Sequence, residues 1–242
     1  LARGEDFVEA FAYGVAYGLV AQKIPTSVPV AANHSQQSSL TSLEAAEICK
    51  HVYTGEKDSM TDSGWKLIDI KENESGTLRI GVYAKENPVN GKTEYVIANK
   101  GTSTLKCWVQ NFAQPFGLSS DMVTSINFAR EFVSDNPNAT ITFVGHSKGG
   151  AEAAAMAVAT NKDAILFNTA RPNYGAYGVP ISSYEGTMTS YVVRGEILNN
   201  AIFFLQKPTE NVVYLRSQSW NPITNHGIDS VISALKKEES RR

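Results

Sequence analysis

The residues best suited to chemistry lie in the pentad 145–149, which reads Gly-His-Ser-Lys-Gly. Residues 141–144 before it are β-branched or aromatic, which is typical of a buried strand, and the alanine-rich run 151–159 after it favours a helix. A serine on a sharp turn between strand and helix presents its hydroxyl as a nucleophile. We therefore predict that Ser147 is catalytic, with an ordinary serine N-cap of a helix as the alternative.

Steric crowding at the turn explains why the pentad has glycine at positions 145 and 149. Where strand and helix pass closely at such a turn, a Cβ atom at Gly145 or Gly149 would collide with neighbouring backbone. Ser147 then lies at a helix N-terminus, where unpaired N–H groups and the helix dipole favour a developing negative charge. The sequence thus predicts a place beside Ser147 where an oxyanion could be stabilised.

A base and an acid follow in the chain. Glu196 and His226 each come after a predicted strand, and Ser, acid, His is one of the orders in which catalytic triads occur. His226 would accept the proton of the Ser147 hydroxyl, while Glu196 would orient the imidazole and offset its charge. The alternatives are a histidine at a helix N-terminus and a solvated carboxylate in a turn.

Two other carboxylates compete with Glu196 for the role of acid. Asp163 precedes a predicted strand, which puts it at the wrong edge of a parallel sheet, and Asp229 lies on the helix that follows His226. Glu196 is therefore preferred as the acid.

The elements around these residues predict one α/β domain. The chain has 242 residues, of which 42% are hydrophobic and 19% charged, an ordinary globular composition. An Asn-Gly step at 90–91 predicts a hairpin, and a helical pattern at 121–133 before the nucleophile strand predicts a parallel crossover. Predicted strands are 65–70, 78–84, 95–98, 141–144, 164–168, 191–196 and 212–215, and predicted helices include 40–53, with Thr41 and Glu44 as a capping box, and 228–236.

The net charge, the cysteines and the histidines bear on whether the protein binds nucleic acid or a metal ion. A formal net charge of −2 with scattered Lys and Arg gives no reason to expect nucleic acid as a partner. Cys49 and Cys107 are too few for a disulfide framework, and we expect two free, buried thiols. None of the four histidines belongs to a group with zinc-ligand spacing, so we predict no metal and no cofactor.

Residues 1–39 are set apart by composition from the domain predicted at 40–242. A weak helical stripe at 7–20 is followed by a polar, proline-containing stretch at 24–39, which indicates a mobile linker. The helix would pack on the core or on a protein partner, or lie at a membrane surface. No signal peptide or transmembrane span is recognised, and the chain begins without Met, which fits a processed product or a piece of something longer.

Aromatic residues in two further stretches could line an apolar pocket. They are Trp108, Phe112 and Phe116 in one stretch and Tyr174 and Tyr177 in another. Such rings could form the wall or lid of a substrate groove, or simply pack a loop on the core, and we keep both interpretations.

From about residue 43 to 235 the chain resembles the class 3 lipase family of α/β-hydrolases, particularly bacterial members with Gly-His-Ser-Lys-Gly-Gly at 145–150. Residues 98–102, Ala-Asn-Lys-Gly-Thr, resemble the oxyanion segment of that family. The resemblance implies a mostly parallel sheet with an antiparallel start and helices on both faces. It also implies an oxyanion hole made by the backbone N–H groups of Thr102 and Lys148. The sequence departs from the family pattern at Lys148, which is usually Leu, and at Glu196, which is usually Asp.

These features predict a serine carboxylic-ester hydrolase that acts on lipid esters through an acyl-enzyme. A phospholipase A is favoured over a neutral glyceride lipase or esterase, and contact with a membrane surface is expected. By analogy with the bacterial members, a dedicated apparatus would secrete the protein as an effector. The competing hypothesis is a non-catalytic binding protein that keeps the hydrolase fold.

Overall fold

The computed structural model describes residues 38–102, 119–170, 172–198 and 211–241. The chain divides into two units, Leu1–Ala31 and Ala32–Arg242, and the described residues all belong to the second. The predicted N-terminal helix and most of the predicted linker lie outside the described residues, as do Cys107, Trp108, Phe112 and Phe116. The boundary proposed at residue 39 stays a prediction.

Seven strands form one sheet whose spatial order follows their order in the chain. β1, β2 and β3 pair antiparallel, and every later neighbour pairs parallel. The predicted antiparallel start and parallel remainder are therefore confirmed. The strands are β1 (Lys66–Glu72), β2 (Arg79–Glu86), β3 (Thr93–Asn99), β4 (Thr140–His146), β5 (Asp163–Phe167), β6 (Met188–Val193) and β7 (Asn211–Leu215).

Local sequence signals account for the start of the helix at Ser42–His51 and for the hairpin between β2 and β3. The Thr41 hydroxyl accepts a hydrogen bond from the N–H of Glu44 at 3.2 Å, and the Glu44 carboxylate accepts one from the N–H of Thr41 at 2.9 Å. Both halves of the predicted capping box are thus present. Between β2 and β3 the chain turns at the predicted Asn-Gly step, where Gly91 has a φ of 66° that favours glycine.

Helices cover both faces of the sheet. The two crossover helices, α2 and α3, lie on one face, as expected when parallel strands are added in one direction by connections of one hand. The first and last helices of the described residues cover the opposite face. The helices are α1 (Ser42–His51), α2 (Ser120–Asp135), α3 (Lys148–Thr160), α4 (Pro222–His226) and α5 (Ile228–Glu239), with short 3-10 turns at Tyr174–Tyr177 and Ile181–Ser183.

The core consists of two apolar layers, one on each face. Phe143 and Val144 are consecutive residues of β4, yet Phe143 packs in the layer beneath α2 and α3 and Val144 in the layer beneath α1 and α5. Side chains alternate between the two faces of a strand, so a strand buried on both faces must be apolar throughout. This explains why β4 lacks the alternating pattern of a half-exposed strand.

The structure adds a short helix that the sequence pattern does not show. Pro222–His226 forms α4, with the Asn221 side chain accepting a hydrogen bond from the N–H of Ile223 at 2.9 Å. His226 is therefore the last residue of α4, and it directly precedes Gly227, the N-cap residue of α5. In the described parts of the chain no helix is long and apolar enough to cross a membrane.

Candidate active site

The turn between β4 and α3 holds Ser147 in a conformation that few L-residues adopt. Its φ and ψ are 60° and −125°. The N–H of Ser147 donates to the carbonyl of Phe167 at 3.1 Å, and the carbonyl of Ser147 accepts from the N–H of Ala170 at 3.1 Å. The last residue of β5 and the main chain just after it thus hold Ser147 on both sides.

The glycines around Ser147 permit close approach of backbone to backbone. A Cβ at Gly145 would overlap the backbone of Gly149, and a Cβ at Gly149 would overlap the carbonyl of Asn99 at the end of β3. The predicted steric reason for both glycines is confirmed. The contact at Asn99 also sets the turn after β3 directly against the N-terminus of α3.

His226 and Glu196 form a buried pair. The Nδ1 of His226 lies 2.7 Å from the Oε2 of Glu196, and the same oxygen accepts the N–H of Leu198 at 2.8 Å. The two residues are 0% and 1% exposed, so the alternative of a solvated carboxylate at Glu196 is wrong. A carboxylate on Nδ1 leaves the Nε2 of the neutral ring as the proton acceptor.

The Oγ of Ser147 and the Nε2 of His226 are both buried. Among the described residues, neither the Oγ of Ser147 nor the Nε2 of His226 has a hydrogen-bond partner. The ring of His146, which precedes Ser147, lies 5.0 Å from the ring of His226, centroid to centroid. The structure therefore brings the nucleophile turn and the histidine segment together at the carboxyl ends of the parallel strands.

The two competing carboxylates lie elsewhere. Asp163 is the first residue of β5, at the opposite end of the sheet, where it accepts the N–H of Thr187 at 2.7 Å. Asp229 is on α5 and pairs with Lys50 at 2.8 Å, with its side chain 77% exposed. Neither carboxylate faces Nδ1 of His226, the atom that Glu196 contacts.

The predicted oxyanion donors flank Ser147. A Cβ built at Gly101 would lie 3.3 Å from the Cβ of Ser147, so the turn that carries Thr102 passes beside Ser147. Lys148 is the first residue of α3, where N–H groups have no partner within the helix. The roles of Thr102 and Lys148 stay predictions.

The side chain of Lys148 points away from this chemistry into a buried polar network. Its Nζ lies 2.6 Å from Oδ2 of Asp121 and 3.1 Å from Oε1 of Glu152, and it donates to the carbonyl of Thr77 at 3.1 Å. Glu152 in turn accepts from the amide of Asn99 at 3.2 Å. The network therefore ties the start of α3 to α2 and to the end of β3.

The pKa values of Lys148 and Glu152 depend on each other's charge. Burial alone would lower the pKa of Lys148, but the nearby carboxylates of Glu152 and Asp121 raise it above its ordinary value. Burial raises the pKa of Glu152, although Lys148 and Asn99 act in the opposite direction. Lys148 is thus the cation that makes two buried carboxylates tolerable.

Two of the five aromatic residues assigned to substrate binding can be placed. Tyr177 belongs to the core beneath α2 and α3, and its hydroxyl accepts the N–H of Ser119 at 3.0 Å. Tyr174 packs against the same core, with its hydroxyl 3.8 Å from the sulfur of Met188. These contacts give both rings a packing role, and their part in substrate binding stays a prediction.

Sequence reasoning missed the polar residues that surround His226. His146 and Asn168 both donate to its backbone carbonyl, and the hydroxyl of Tyr53 lies 3.3 Å from the Nδ1 of His146. Asn168 carried one signal, since an asparagine directly after a strand is among the few residues that tolerate a positive φ. The described residues contain no group of three or more side chains suited to holding a metal ion.

Comparisons with known proteins identify the family to which this domain is similar. A family model described as a Tle-like phospholipase domain matches residues 44–238. An extracellular phospholipase A1 of Serratia liquefaciens is 24% identical over 187 residues, which cover 67% of this chain and 57% of that protein. The chain therefore spans less than two thirds of that relative's length. The predicted resemblance to class 3 lipases is confirmed.

A solved structure shows the same fold. The lipase of Rhizomucor miehei, in complex with its propeptide, aligns with a TM-score of 0.51 and 14% identity, covering 76% of this chain and 74% of that one. At this level of identity the likeness concerns the fold alone. The predicted α/β-hydrolase fold is confirmed.

The network at Lys148 yields a prediction about stability. Lys148→Met should lower the free energy of unfolding by about 3 kcal/mol at pH 7, because it leaves Glu152 and Asp121 buried without a cation. The native pKa of Glu152 is already raised, so the native state binds protons that the unfolded state does not, and the deficit should shrink as pH falls towards 5. Denaturant unfolding at several pH values measures both effects.

Two further variants serve as controls. Glu152→Gln added to Lys148→Met should recover much of the loss, and Lys50→Met, which removes an exposed ion pair, should cost less than about 1 kcal/mol. A deficit in Lys148→Met that grows on acidification would contradict this account of the network.

Proposed function

We propose that this chain, which belongs to the Tle-like phospholipase domain family, hydrolyses carboxylic esters of lipids with Ser147, His226 and Glu196 as its catalytic triad. One observation carries the proposal. The buried bond between Nδ1 of His226 and Glu196 leaves Nε2 as the proton acceptor, and the backbone of His226 is bonded to His146, the residue before Ser147 on its strained turn. In the proposed reaction this Nε2 accepts the proton of the Ser147 hydroxyl.

The reaction follows from these positions. The Oγ of Ser147 attacks the ester carbonyl as its proton passes to Nε2 of His226, and Glu196 stabilises the imidazolium that forms. The negative charge on the carbonyl oxygen faces the N–H groups of Thr102 and Lys148 at the N-terminus of α3. As the bond between the carbonyl carbon and the alcohol oxygen breaks, His226 gives its proton to the leaving alcohol, and Ser147 is left acylated. In the second half of the reaction His226 takes a proton from water, which attacks the acyl-enzyme, and then returns a proton to the Oγ of Ser147 as the fatty acid leaves. No cofactor enters this sequence.

For the substrate we propose a phospholipid cleaved at an acyl ester, the phospholipase A reaction. The support is the family description and the name of the Serratia relative, a phospholipase A1. Product analysis by mass spectrometry, with mixed phospholipids and glycerides as substrates, tests the choice. Release of fatty acid and lysophospholipid supports the proposal, and release from glycerides alone would favour a neutral lipase. Secretion as a bacterial effector stays a prediction.

We propose further that the surface around the start of α4 contacts the lipid aggregate. Trp220 is 104% exposed, and Ile223, in the first turn of α4, is 37% exposed. The same short helix ends at His226, so this apolar surface lies one helix turn from the proposed base. Tryptophan favours membrane interfaces, and the exposed Arg216 nearby suits lipid phosphates.

The nucleophile gives the first prediction of this proposal. Ser147→Ala should abolish ester hydrolysis and labelling by a fluorophosphonate probe, while the melting temperature stays near that of the wild type, because one hydroxyl adds little stability. Activity assays, mass spectrometry of the labelled site and calorimetry are the measurements. A folded wild type that takes up no label and releases no product would favour the non-catalytic alternative.

The acid gives a second prediction. Glu196→Gln should lower kcat by about 10³ to 10⁴ at neutral pH, because the amide no longer stabilises the imidazolium or selects its tautomer. Asp163→Asn and Asp229→Asn are matched controls that remove the competing carboxylates, and both should keep activity within a few-fold of the wild type. Near-normal kcat in Glu196→Gln would show that the acid is another residue.

The lipid-facing surface gives a third prediction. Trp220→Ser should reduce cosedimentation with phosphatidylglycerol-containing vesicles and slow their hydrolysis by about tenfold, because burial of the ring at the interface is lost. Hydrolysis of a soluble short-chain ester should not change. Val89→Ser is the control, since Val89 is 88% exposed on the hairpin at the opposite end of the sheet. Equal effects of the two substitutions would rule out a specific surface at Trp220.

A further inference from the structure

The backbone carbonyl of His226 accepts two hydrogen bonds from buried side chains. The Nε2 of His146 lies 2.6 Å from this oxygen, and the Nδ2 of Asn168 lies 2.9 Å from it. His146 ends β4, and Asn168 directly follows β5. Neither side chain has a part in the chemistry proposed above, yet both converge on the main chain of the proposed base.

The amide of Asn168 joins three segments of chain. Its Nδ2 also donates to the carbonyl of Asn225 at 3.0 Å, and its Oδ1 accepts the N–H of Val193 at 2.9 Å. Two carbonyls on one side and an N–H on the other permit only one orientation of the amide. Because Val193 ends β6 just before the turn that carries Glu196, Asn168 links the segment of the acid to the segment of the base.

The backbone of Asn168 restricts which residue can do this. Its φ is 41°, in the left-handed region that asparagine enters more readily than other residues with a side chain. Its own N–H donates to the carbonyl of Tyr191 at 2.9 Å, so the residue is fixed to β6 through its main chain as well. Asn168 is 1% exposed, and water does not compete for these bonds.

His146 is held in one tautomer. Its Nε2 faces a carbonyl and must therefore carry the proton, which leaves Nδ1 to accept from the hydroxyl of Tyr53 at 3.3 Å. Burial, and then the nearby charge of His226, lowers the pKa of His146 to about 3. His146 consequently stays a neutral donor at neutral pH.

These hydrogen bonds hold the C-terminal end of the short helix α4. α4 has only five residues, too few to hold its last residue rigidly by helix hydrogen bonds alone. The ring of His226 is held by Glu196, and its backbone is held from the ends of β4 and β5. Since His146 is adjacent to Ser147, the bond from His146 sets the spacing between the nucleophile turn and the histidine directly.

We propose that His146 and Asn168 are positioning residues that hold the His226 backbone, and so keep Nε2 of His226 aligned with Ser147 and Nδ1 with Glu196. The inference rests on the proposed function, in which His226 is the base. A base displaced by about 1 Å can cost on the order of a hundredfold in rate. These two side chains therefore affect the rate without touching the substrate.

Asn168→Asp is the sharpest test. It keeps the shape, the tolerance of positive φ and the acceptor for the N–H of Val193, but it turns a carboxylate oxygen towards two carbonyls. We expect kcat on a soluble ester to fall about ten- to a hundredfold at pH 8 with KM within twofold. The ratio of variant to wild-type kcat should rise as pH is lowered, because the introduced carboxyl group, once protonated, could donate to one carbonyl again.

Asn161→Asp is the matched control. Asn161 also has a positive φ, of 54°, and its side chain only accepts, from the N–H groups of Glu185 and Gly186 at 2.7 and 3.1 Å. It lies just before β5, at the end of the sheet opposite the site, and an aspartate there keeps both bonds. Activity equal to the wild type is expected. A loss in this control as large as in Asn168→Asp would overturn the inference.

A second pair of variants keeps the inference testable if Asn168→Asp does not fold. His146→Leu removes the donor and should lower kcat at least tenfold, whereas His146→Gln offers an amide donor and should restore part of the loss. Equal kcat in the two variants, or an effect on KM alone, would overturn the inference. If the wild type is active and Asn168→Asp is equally active, this inference fails alone; if Ser147→Ala is as active as the wild type, the proposed function fails instead.

Discussion

The close approach of β4 and α3 at Ser147 is the constraint on which the rest of the site depends. A residue in such a conformation costs on the order of 1–3 kcal/mol and persists only where its surroundings fix it. Here the main chain after β5 fixes it, through bonds to Phe167 and Ala170. Glycine at 145 and 149 lets the backbones touch, and one of those contacts, at Asn99, determines where the turn after β3 must run.

Two buried polar networks flank this turn and connect it to the neighbouring helices and strand ends. On one side Lys148, Asp121 and Glu152 connect α3 to α2 and, through Asn99, to β3. On the other side the polar groups around His226 connect the ends of β4, β5 and β6. Buried networks of this kind are costly when partly satisfied and rigid when complete. They explain how groups from separate strands are held in register around a short, otherwise weakly supported helix.

Much of this architecture was predictable because its signals are local or periodic. The strands, the capping box at Thr41, the hairpin at Gly91 and the strand, turn and helix around Ser147 all follow from residue types at short separations. The chain order of Ser147 and the two later site candidates also limited the choices, because parallel strands end at one edge of the sheet.

The remaining features depend on contacts between distant parts of the chain. α4 is too short to show a helical period, and its formation depends on the cap at Asn221. The burial of Glu196 and the clustering of Asn168 with His226 arise only when β5, β6 and the chain after β7 meet. Tyr177 lies in a loop rich in glycine and proline, and only the folded chain shows that its ring packs in the core; its part in substrate binding stays a prediction.

Local contacts in the turn after β6 fix the side chain of Glu196. The N–H of Glu196 donates to the carbonyl of Val193 at 3.1 Å, which closes a tight turn and starts the side chain beneath His226. A glutamate has one more rotatable bond to fix than an aspartate, a cost in conformational entropy. The N–H of Leu198 offsets it by binding the same oxygen that faces Nδ1. The side chain of Glu196 is thus held at its tip, against Nδ1 of His226.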